Sequence, residues 1–139
     1  MTAFRSPQEF REVMDRTFAL MSEDPEMGPR LREADTPQQF RFTDLDLVVN
    51  IRAGDASEPN LAWEWKDDVP WEPKVKMEMS SETANRYFQG KENVAIAIAR
   101  RRIKAGGDVK AALQIIPMTK PLFARYSDMI AADYPHLQV

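Results

Sequence analysis

The second half of the chain, from Lys74 to Ile130, places the tightest limits on the fold. An alternating stretch around Val75 is followed by two short helical segments, a second alternating stretch, a Gly-Gly-Asp turn and a strongly apolar helical end. A period of two is typical of a strand with one buried face, whereas apolar spacings of three and four are typical of an amphipathic helix. This order predicts an α+β fold in which helices cover one face of a sheet.

Composition excludes several classes of protein. The chain has 139 residues, a formal net charge of −3 and no cysteine. We therefore predict a single domain over residues 1–139, no disulfides and no thiol catalysis. The net negative charge argues against nucleic acid as the main partner. Charged residues interrupt Met1 to Met21, and no 18 apolar residues run together, so we expect a soluble, cytoplasmic protein.

The first half predicts two helices and a series of strands. Ser6-Pro7-Gln8-Glu9 is a capping box that begins one helix, and Asp24-Pro25 begins a shorter one. From Phe40 onward the pattern alternates: Leu45, Leu47, Val49 and Ile51 form one face, and Asp44, Asp46 and Asn50 form the wet face. Leu61 to Trp65 and Val75 to Met79 alternate in the same way. Because the connections are too short for crossover helices, we predict three consecutive antiparallel strands.

Caps and turns divide the second half. Ser80 or Ser81 begins a helix that Gly90 ends, and Val94 opens another short helix. Arg100 to Ala105 alternates as a fourth strand. Asp108 caps a helix that Pro117 should end, and Thr119-Lys120-Pro121 opens the last helix.

Two of these segments resemble the sterol carrier protein type 2 family of lipid-binding domains. They are Val75-Lys-Met-Glu-Met-Ser-Ser-Glu-Thr-Ala-Asn-Arg-Tyr-Phe-Gln-Gly90 and Ile103-Lys-Ala-Gly-Gly-Asp108 with the apolar helix that follows. The resemblance implies a mostly antiparallel sheet of about five strands covered by short helices, with an amino-terminal helix and closing carboxyl-terminal helices. It also implies an apolar tunnel for a sterol, fatty acid or fatty acyl-CoA, with no cofactor and no metal.

The residues support such a tunnel indirectly. The apolar side chains of the carboxyl-terminal third cover a wider part of the helix surface than the narrow stripe that packs one helix against a sheet. The candidate ligand-binding residues are Trp63, Trp65, Met77, Met79, Phe88, Ile98, Ile103, Leu113, Ile116, Met118 and Phe123. Methionine adapts to ligands of varied shape, although Met77, Met79, Met118 and Met129 fill core gaps equally well.

The tryptophans and the basic segment each allow two interpretations. Trp63 and Trp65 either form a floor for the ligand or pack under the amino-terminal helix, and Trp71 is a rim aromatic or a plug at the end of the sheet. Arg100, Arg102 and Lys104 have the parity of the solvent face, where charges protect an edge strand. Arg101 has the inward parity and is the candidate for a lipid head group.

The predicted function is therefore non-catalytic binding or transfer of a hydrophobic ligand, with at most transient membrane contact. The alternative is a dimerisation or partner-docking module that uses the same apolar helices. An enzyme acting on a lipid or steroid is the third interpretation. The available carboxylate pairs, Asp44 with Asp46 and Asp67 with Asp68, are typical of solvated surface, and His136 lies in a tail expected to fray.

Overall fold

The structure, a computed structural model, describes residues 3–55 and 57–139. Its helices are α1 (Pro7–Glu23), α2 (Met27–Ala34), α3 (Ser81–Phe88), α4 (Val94–Ala99), α5 (Val109–Thr119) and α6 (Leu122–Asp133). Its strands are β1 (Gln38–Phe42), β2 (Leu47–Ala53), β3 (Leu61–Trp65), β4 (Val75–Met79) and β5 (Lys104–Gly107). A short 3-10 helix, Pro135–Leu137, follows α6. The α+β class with five strands is confirmed.

The five strands form one mixed sheet in the order β3-β2-β1-β4-β5. The β1–β4 pair is parallel and the other three pairs are antiparallel. The prediction of three consecutive antiparallel strands was wrong, because β4 pairs with β1 and not with β3. The connection from β3 to β4 crosses the outer face of the sheet as a loop without a helix. Asn50 holds it there by donating to the carbonyl of Lys66 at 2.6 Å.

The first predicted strand is in fact a hairpin. The chain turns between Phe42 and Leu47, and Asp46 in this turn has a left-handed φ of 53°. Asp44 therefore does not share a strand face with Asp46; its carboxylate accepts hydrogen bonds from the backbone and hydroxyl of Ser81, at 2.8 and 2.6 Å. Asn50, which was also predicted on the solvent face, is buried: it is 1% exposed, beneath the loop that crosses the sheet. A period-two pattern continued through the turn and concealed it.

Three of the four predicted helix caps are confirmed, and the first is Ser6, whose Oγ accepts from the Glu9 N–H at 3.1 Å. Asp24 instead accepts from the N–H groups of Glu26 and Met27, at 2.9 and 2.8 Å, in the turn before α2, whose N-cap residue Glu26 makes no side-chain cap bond. Ser80 caps α3 and Asp108 caps α5 in the same way, and Gly90 has the expected positive φ of 75°. Short-range hydrogen bonds explain this success, because a cap needs only its own next three residues.

Two boundaries in the second half differ from the predictions. The fourth strand begins at Lys104, because α4 ends in a left-handed turn at Arg101 (φ 61°), so Arg101 has no inward strand parity. Pro117 lies inside α5, which continues to Thr119. Proline removes one N–H donor, yet the helix continues through Met118 and Thr119, the last two residues of α5.

The carboxyl-terminal tail is anchored, contrary to the expectation that it frays. Leu137 is fully buried, and its carbonyl accepts from Asn85 and Gln89, both at 2.8 Å. His136 Nε2 lies 2.9 Å from a carboxylate oxygen of Glu9. Burial raises the pKa of Glu9, but its hydrogen bonds with His136 and the Arg5 N–H outweigh burial and lower the pKa overall.

Candidate functional site

An apolar cavity lies between the inner face of the sheet and the helices. Its volume is about 110 Å³ and it is partly open to solvent. On the same measure a buried water needs about 10–15 Å³, so the cavity has several times the volume that one water molecule needs. A space of this size between packed layers is uncommon in protein interiors, which have few voids larger than a water molecule.

Side chains from nine of the eleven numbered elements line the cavity. The apolar ones are Met14, Phe18, Met21, Leu31, Phe40, Phe42, Ile51, Ala53, Leu61, Met77, Met79, Ala84, Phe88, Val94, Ile103, Ala112, Ile115 and Ile116, joined by Tyr87. The lining residues with polar groups other than Tyr87 are Thr36, Gln38, Arg52 and Thr119. A wall of this kind favours an apolar guest over water.

The regular spacing of apolar residues in the helices and strands explains which side chains form the wall of the cavity. In α1 the residues Met14, Phe18 and Met21 recur at spacings of four and three, so one stripe faces the cavity. In β1 and β4 every second residue points inward, and the parallel register places Phe40 beside Met77 and Phe42 beside Met79. The cavity therefore runs along the sheet from the Gln38 end to the Met79 end.

A neutralised cation lies at the Gln38 end. Arg52 forms two hydrogen bonds to the Glu58 carboxylate, both at 3.1 Å, and donates to the carbonyl of Ala53 at 3.0 Å. These bonds from Arg52, together with the Asp55 N–H, lower the pKa of Glu58 to about 2. Glu58 is therefore ionised at neutral pH, and the charge of Arg52 is already balanced.

A tyrosine lines the opposite half of the cavity. The hydroxyl of Tyr87 lies 2.7 Å from the hydroxyl of Thr119, which donates to the carbonyl of Ile116 at 2.9 Å. Burial raises the pKa of Tyr87, against the opposing effect of the Thr119 bond. The phenol is therefore neutral at physiological pH and is not suited to act as a base.

Five of the eleven apolar candidates from the sequence line this cavity: Met77, Met79, Phe88, Ile103 and Ile116. Ile98 and Met118 are half-buried against the core, and Leu113 is 42% exposed on α5. Phe123 on α6 is outside the wall and stacks edge-on with Tyr87 at 5.3 Å. The wall includes α5 but no residue of α6, so only part of the apolar carboxyl-terminal third contributes to it.

Trp63 and Trp65 pack under α1 and do not line the cavity. Both indole N–H groups donate to one carboxylate oxygen of Asp15, at 2.9 and 2.7 Å. Trp63 also meets Phe18 edge-on at 5.5 Å, and Trp65 meets Phe10 at 6.3 Å. Because its carboxylate accepts both hydrogen bonds, Asp15 links the middle of α1 to the edge strand β3.

Replacing Asp15 with alanine should lower the free energy of unfolding by about 2–4 kcal/mol, because two hydrogen bonds to a charged acceptor are lost and each contributes about 1.5–3 kcal/mol before relaxation. Urea unfolding followed by tryptophan fluorescence measures the change. Asp15→Asn is the matched control, since its amide oxygen still accepts, and it should lose clearly less. An Asp15→Ala variant as stable as the parent would contradict the assigned role.

Sequence reasoning missed the contribution of the first half of the chain to the wall. Met14, Phe18 and Met21 recur at helical spacing in the sequence, which indicates one apolar face but not the surface that it packs against. Arg52 and Gln38 gave no signal, because each follows ordinary strand alternation and becomes part of the wall only when β1, β2 and α5 are assembled.

The remaining candidates lie on the surface. Arg101 is exposed in the turn after α4 and does not line the cavity, although it lies on an open groove beside it. Trp71 is half-buried in the loop between β3 and β4. Within residues 3–55 and 57–139, no three side chains of the metal-ligating types are grouped to hold an ion, and no helix is long and apolar enough to cross a bilayer.

Comparisons with known proteins give a fold likeness. No protein-family model matches the chain, and no curated protein matches it. Among solved structures, a ubiquinone synthesis protein named UbiJ-SCP2 superposes with a TM-score of 0.60 at 7% identity, covering 86% of this chain and 94% of that one. Sterol carrier protein 2 from Yarrowia lipolytica, in its apo form, gives 0.51 at 14% identity, covering 81% and 95%.

The fold is that of a sterol carrier protein 2 domain. This confirms the resemblance seen in the strand-helix-glycine and glycine-aspartate segments. A sec-alkylsulfatase from Pseudomonas sp. also matches, with a TM-score of 0.57 and 16% identity over 66% of this chain. The chain spans only 14% of that sulfatase, so the match concerns one part of a larger protein. At identities of 7–16%, these matches show a shared fold.

Proposed function

We propose that this protein binds a hydrophobic ligand of the fatty acid, fatty acyl or sterol class in the cavity between α1, α5 and the sheet, and that it acts by sequestering or transferring it. The observation that carries the proposal is the apolar wall around about 110 Å³ of space. Burial of an alkyl chain contributes about 0.8 kcal/mol per methylene, so a chain partly enclosed here gains useful affinity without any charged contact. The sterol carrier fold of the neighbours supports the same proposal.

The polar groups of the wall favour binding over catalysis. The guanidinium of Arg52 is engaged by Glu58, and the phenol of Tyr87 is neutral and bonded to Thr119. A general base needs a free acceptor with a pKa near the working pH, and a nucleophile needs such a base beside it. We therefore infer a carrier, and an enzyme acting on a lipid stays the less supported interpretation.

The dimerisation alternative stays a prediction. It requires the apolar helices to face outward, whereas Leu122, Tyr126 and Ile130 of α6 are each 0% exposed. Among the described residues the exposed large hydrophobic side chains are Ile96, Leu113 and Val139. A tight dimer in sedimentation that shields α5 and α6 from hydrogen exchange would favour the alternative.

The single-domain and cytoplasmic assignments likewise stay proposals.

Two measurements test the ligand-binding proposal. Native mass spectrometry of freshly purified protein should show adducts with the mass of a lipid. Titration with a fluorescent fatty acid and with a fluorescent sterol should show saturable binding of one of them at a one-to-one ratio. Protein without any adduct, and without binding of either probe at micromolar concentration, would contradict the proposal.

A further inference from the structure

The segment from Lys91 to Lys104 exposes a surface that the cavity does not use. It contains α4 and the turn into β5. We name it the α4 basic surface, and it consists of the exposed residues Lys91, Ile96, Arg100, Arg101, Arg102 and Lys104. All of these except Arg100 also line one open groove at the Met79 end of the sheet.

Most of the cations on this surface are unpaired. Arg102 is held by Glu92, whose side chain is 6% exposed and which Arg86 also approaches at 3.5 Å. Lys91, Arg100, Arg101 and Lys104 form no ion pair with any residue that the structure describes.

The acidic side chains of the groove do not cancel this charge. Glu78 pairs with Arg41 at 3.6 Å and Glu92 with the two arginines, while Glu82 has no ion pair within the described part of the chain. Within the groove, three unpaired cations, Lys91, Arg101 and Lys104, thus stand against the one unpaired carboxylate of Glu82, in a chain whose net charge is −3. The local potential is therefore opposite in sign to that of the protein as a whole.

An apolar side chain stands among these cations. In α4 the buried side holds Val94 and Ala97, whereas Ile96 is 47% exposed. A single exposed isoleucine is ordinary, but Ile96 shares one groove with several lysine and arginine side chains, and an apolar side chain beside cations suits a bilayer interface. Cations there meet lipid phosphates while the apolar group enters the acyl boundary.

The turn after α4 supplies an independent observation. Arg101 has a φ of 61°, and the backbone of this turn closes α4 by bonds from Arg101 to Ile98 and from Arg102 to Ala97. Glycine is the residue best suited to a left-handed position after a helix. An arginine that accepts this backbone strain points to a use for its side chain.

We propose that the α4 basic surface docks the protein reversibly on an anionic lipid bilayer, with the side chain of Ile96 entering the acyl boundary. The buried side of α4 supplies Val94 to the cavity wall, and the turn just before β5 supplies Ile103, so docking brings the Met79 end of the cavity to the membrane. Docking itself does not require that the cavity binds lipid. A nucleic acid would engage the cations but would leave Ile96 without a role.

Co-sedimentation with vesicles tests the proposal. The protein should bind vesicles of mixed phosphatidylcholine and phosphatidylglycerol at low salt, release as salt is added, and ignore pure phosphatidylcholine. Each cation near such a surface changes the partition coefficient about fivefold, so Arg100→Gln with Arg101→Gly should reduce binding about 25-fold. Lys110→Gln with Lys120→Gln, which removes one exposed cation from α5 and one from the residue just after it, is the control and should bind as the parent does.

Two single variants separate docking from structure. Arg101→Gly should keep or raise the melting temperature while weakening vesicle binding, because it removes both the strain and the cation. Ile96→Gln should weaken binding more than Leu113→Gln, a matched change on α5. Equal binding by the Arg100/Arg101 variant and its control, indifference to vesicle charge, or tighter binding of single-stranded RNA than of anionic vesicles would overturn the proposal.

Discussion

Replacing Ala112 with phenylalanine should abolish ligand binding while leaving the protein folded. Ala112 on α5 is 4% exposed and lines the cavity, so the new ring must enter the space that a ligand would use. Exclusion of four to six methylenes removes about 3–5 kcal/mol, which is at least a hundredfold in affinity. Titration with the fluorescent fatty acid and the fluorescent sterol measures the loss.

The stability of this variant should change much less than its affinity. Extra volume in a well-packed core costs about 1–3 kcal/mol, but here part of the ring occupies existing space. Ala131→Phe adds the same ring on the exposed side of α6 and is the matched control, with unchanged binding. Ala84→Phe enters the same cavity from α3 and repeats the test if the first variant fails to fold. A folded Ala112 or Ala84 variant that binds like the parent would contradict the assigned site.

Replacing Asn85 with leucine should lower the free energy of unfolding by about 2–5 kcal/mol. Asn85 is 2% exposed; it donates to the carbonyl of Leu137 at 2.8 Å and accepts from the hydroxyl of Tyr126 at 2.7 Å. Leucine leaves the buried tyrosine hydroxyl without an acceptor, and each orphaned polar group costs about 1–3 kcal/mol. Urea unfolding followed by circular dichroism measures the change.

The double variant tests the cause. Removing both partners of a buried hydrogen bond can be nearly neutral, so Asn85→Leu combined with Tyr126→Phe should be more stable than the sum of the single losses indicates. Burial raises the pKa of Tyr126, in agreement with a phenol that has little access to water. Strict additivity of the two losses, or a single variant within about 0.5 kcal/mol of the parent, would show that this network does not stabilise the protein.

These two predictions concern opposite properties of the same helical layer. The contacts of α6 with α3 and the tail are closely fitted, because Tyr126, Asn85 and Leu137 satisfy one another's polar groups. The contacts of α5 with the sheet leave a gap. The proposed ligand binding needs both, since a rigid frame keeps the cavity from collapsing and a loosely filled interior admits a ligand.

The same distinction explains which sequence predictions succeeded. Caps at Ser6, Ser80 and Asp108 were confirmed, because a cap is settled by residues three positions apart. The inward faces of β2 and β4 followed from alternation for a similar reason. The hairpin turn at Asp46 was missed, since its neighbours keep the period of two on both sides of it.

Sequence by itself determined the α+β class, most helix starts and the inward residues of β2, β3 and β4. Tertiary structure alone decided that β4 pairs with β1 and that α1 and α5, and not α6, wall the cavity. It also decided that Trp63 and Trp65 bind Asp15. The physical reason is range: backbone hydrogen bonds and amphipathic periods act within a few residues. A cavity, by contrast, exists only where surfaces distant in sequence meet and fail to fill the space between them.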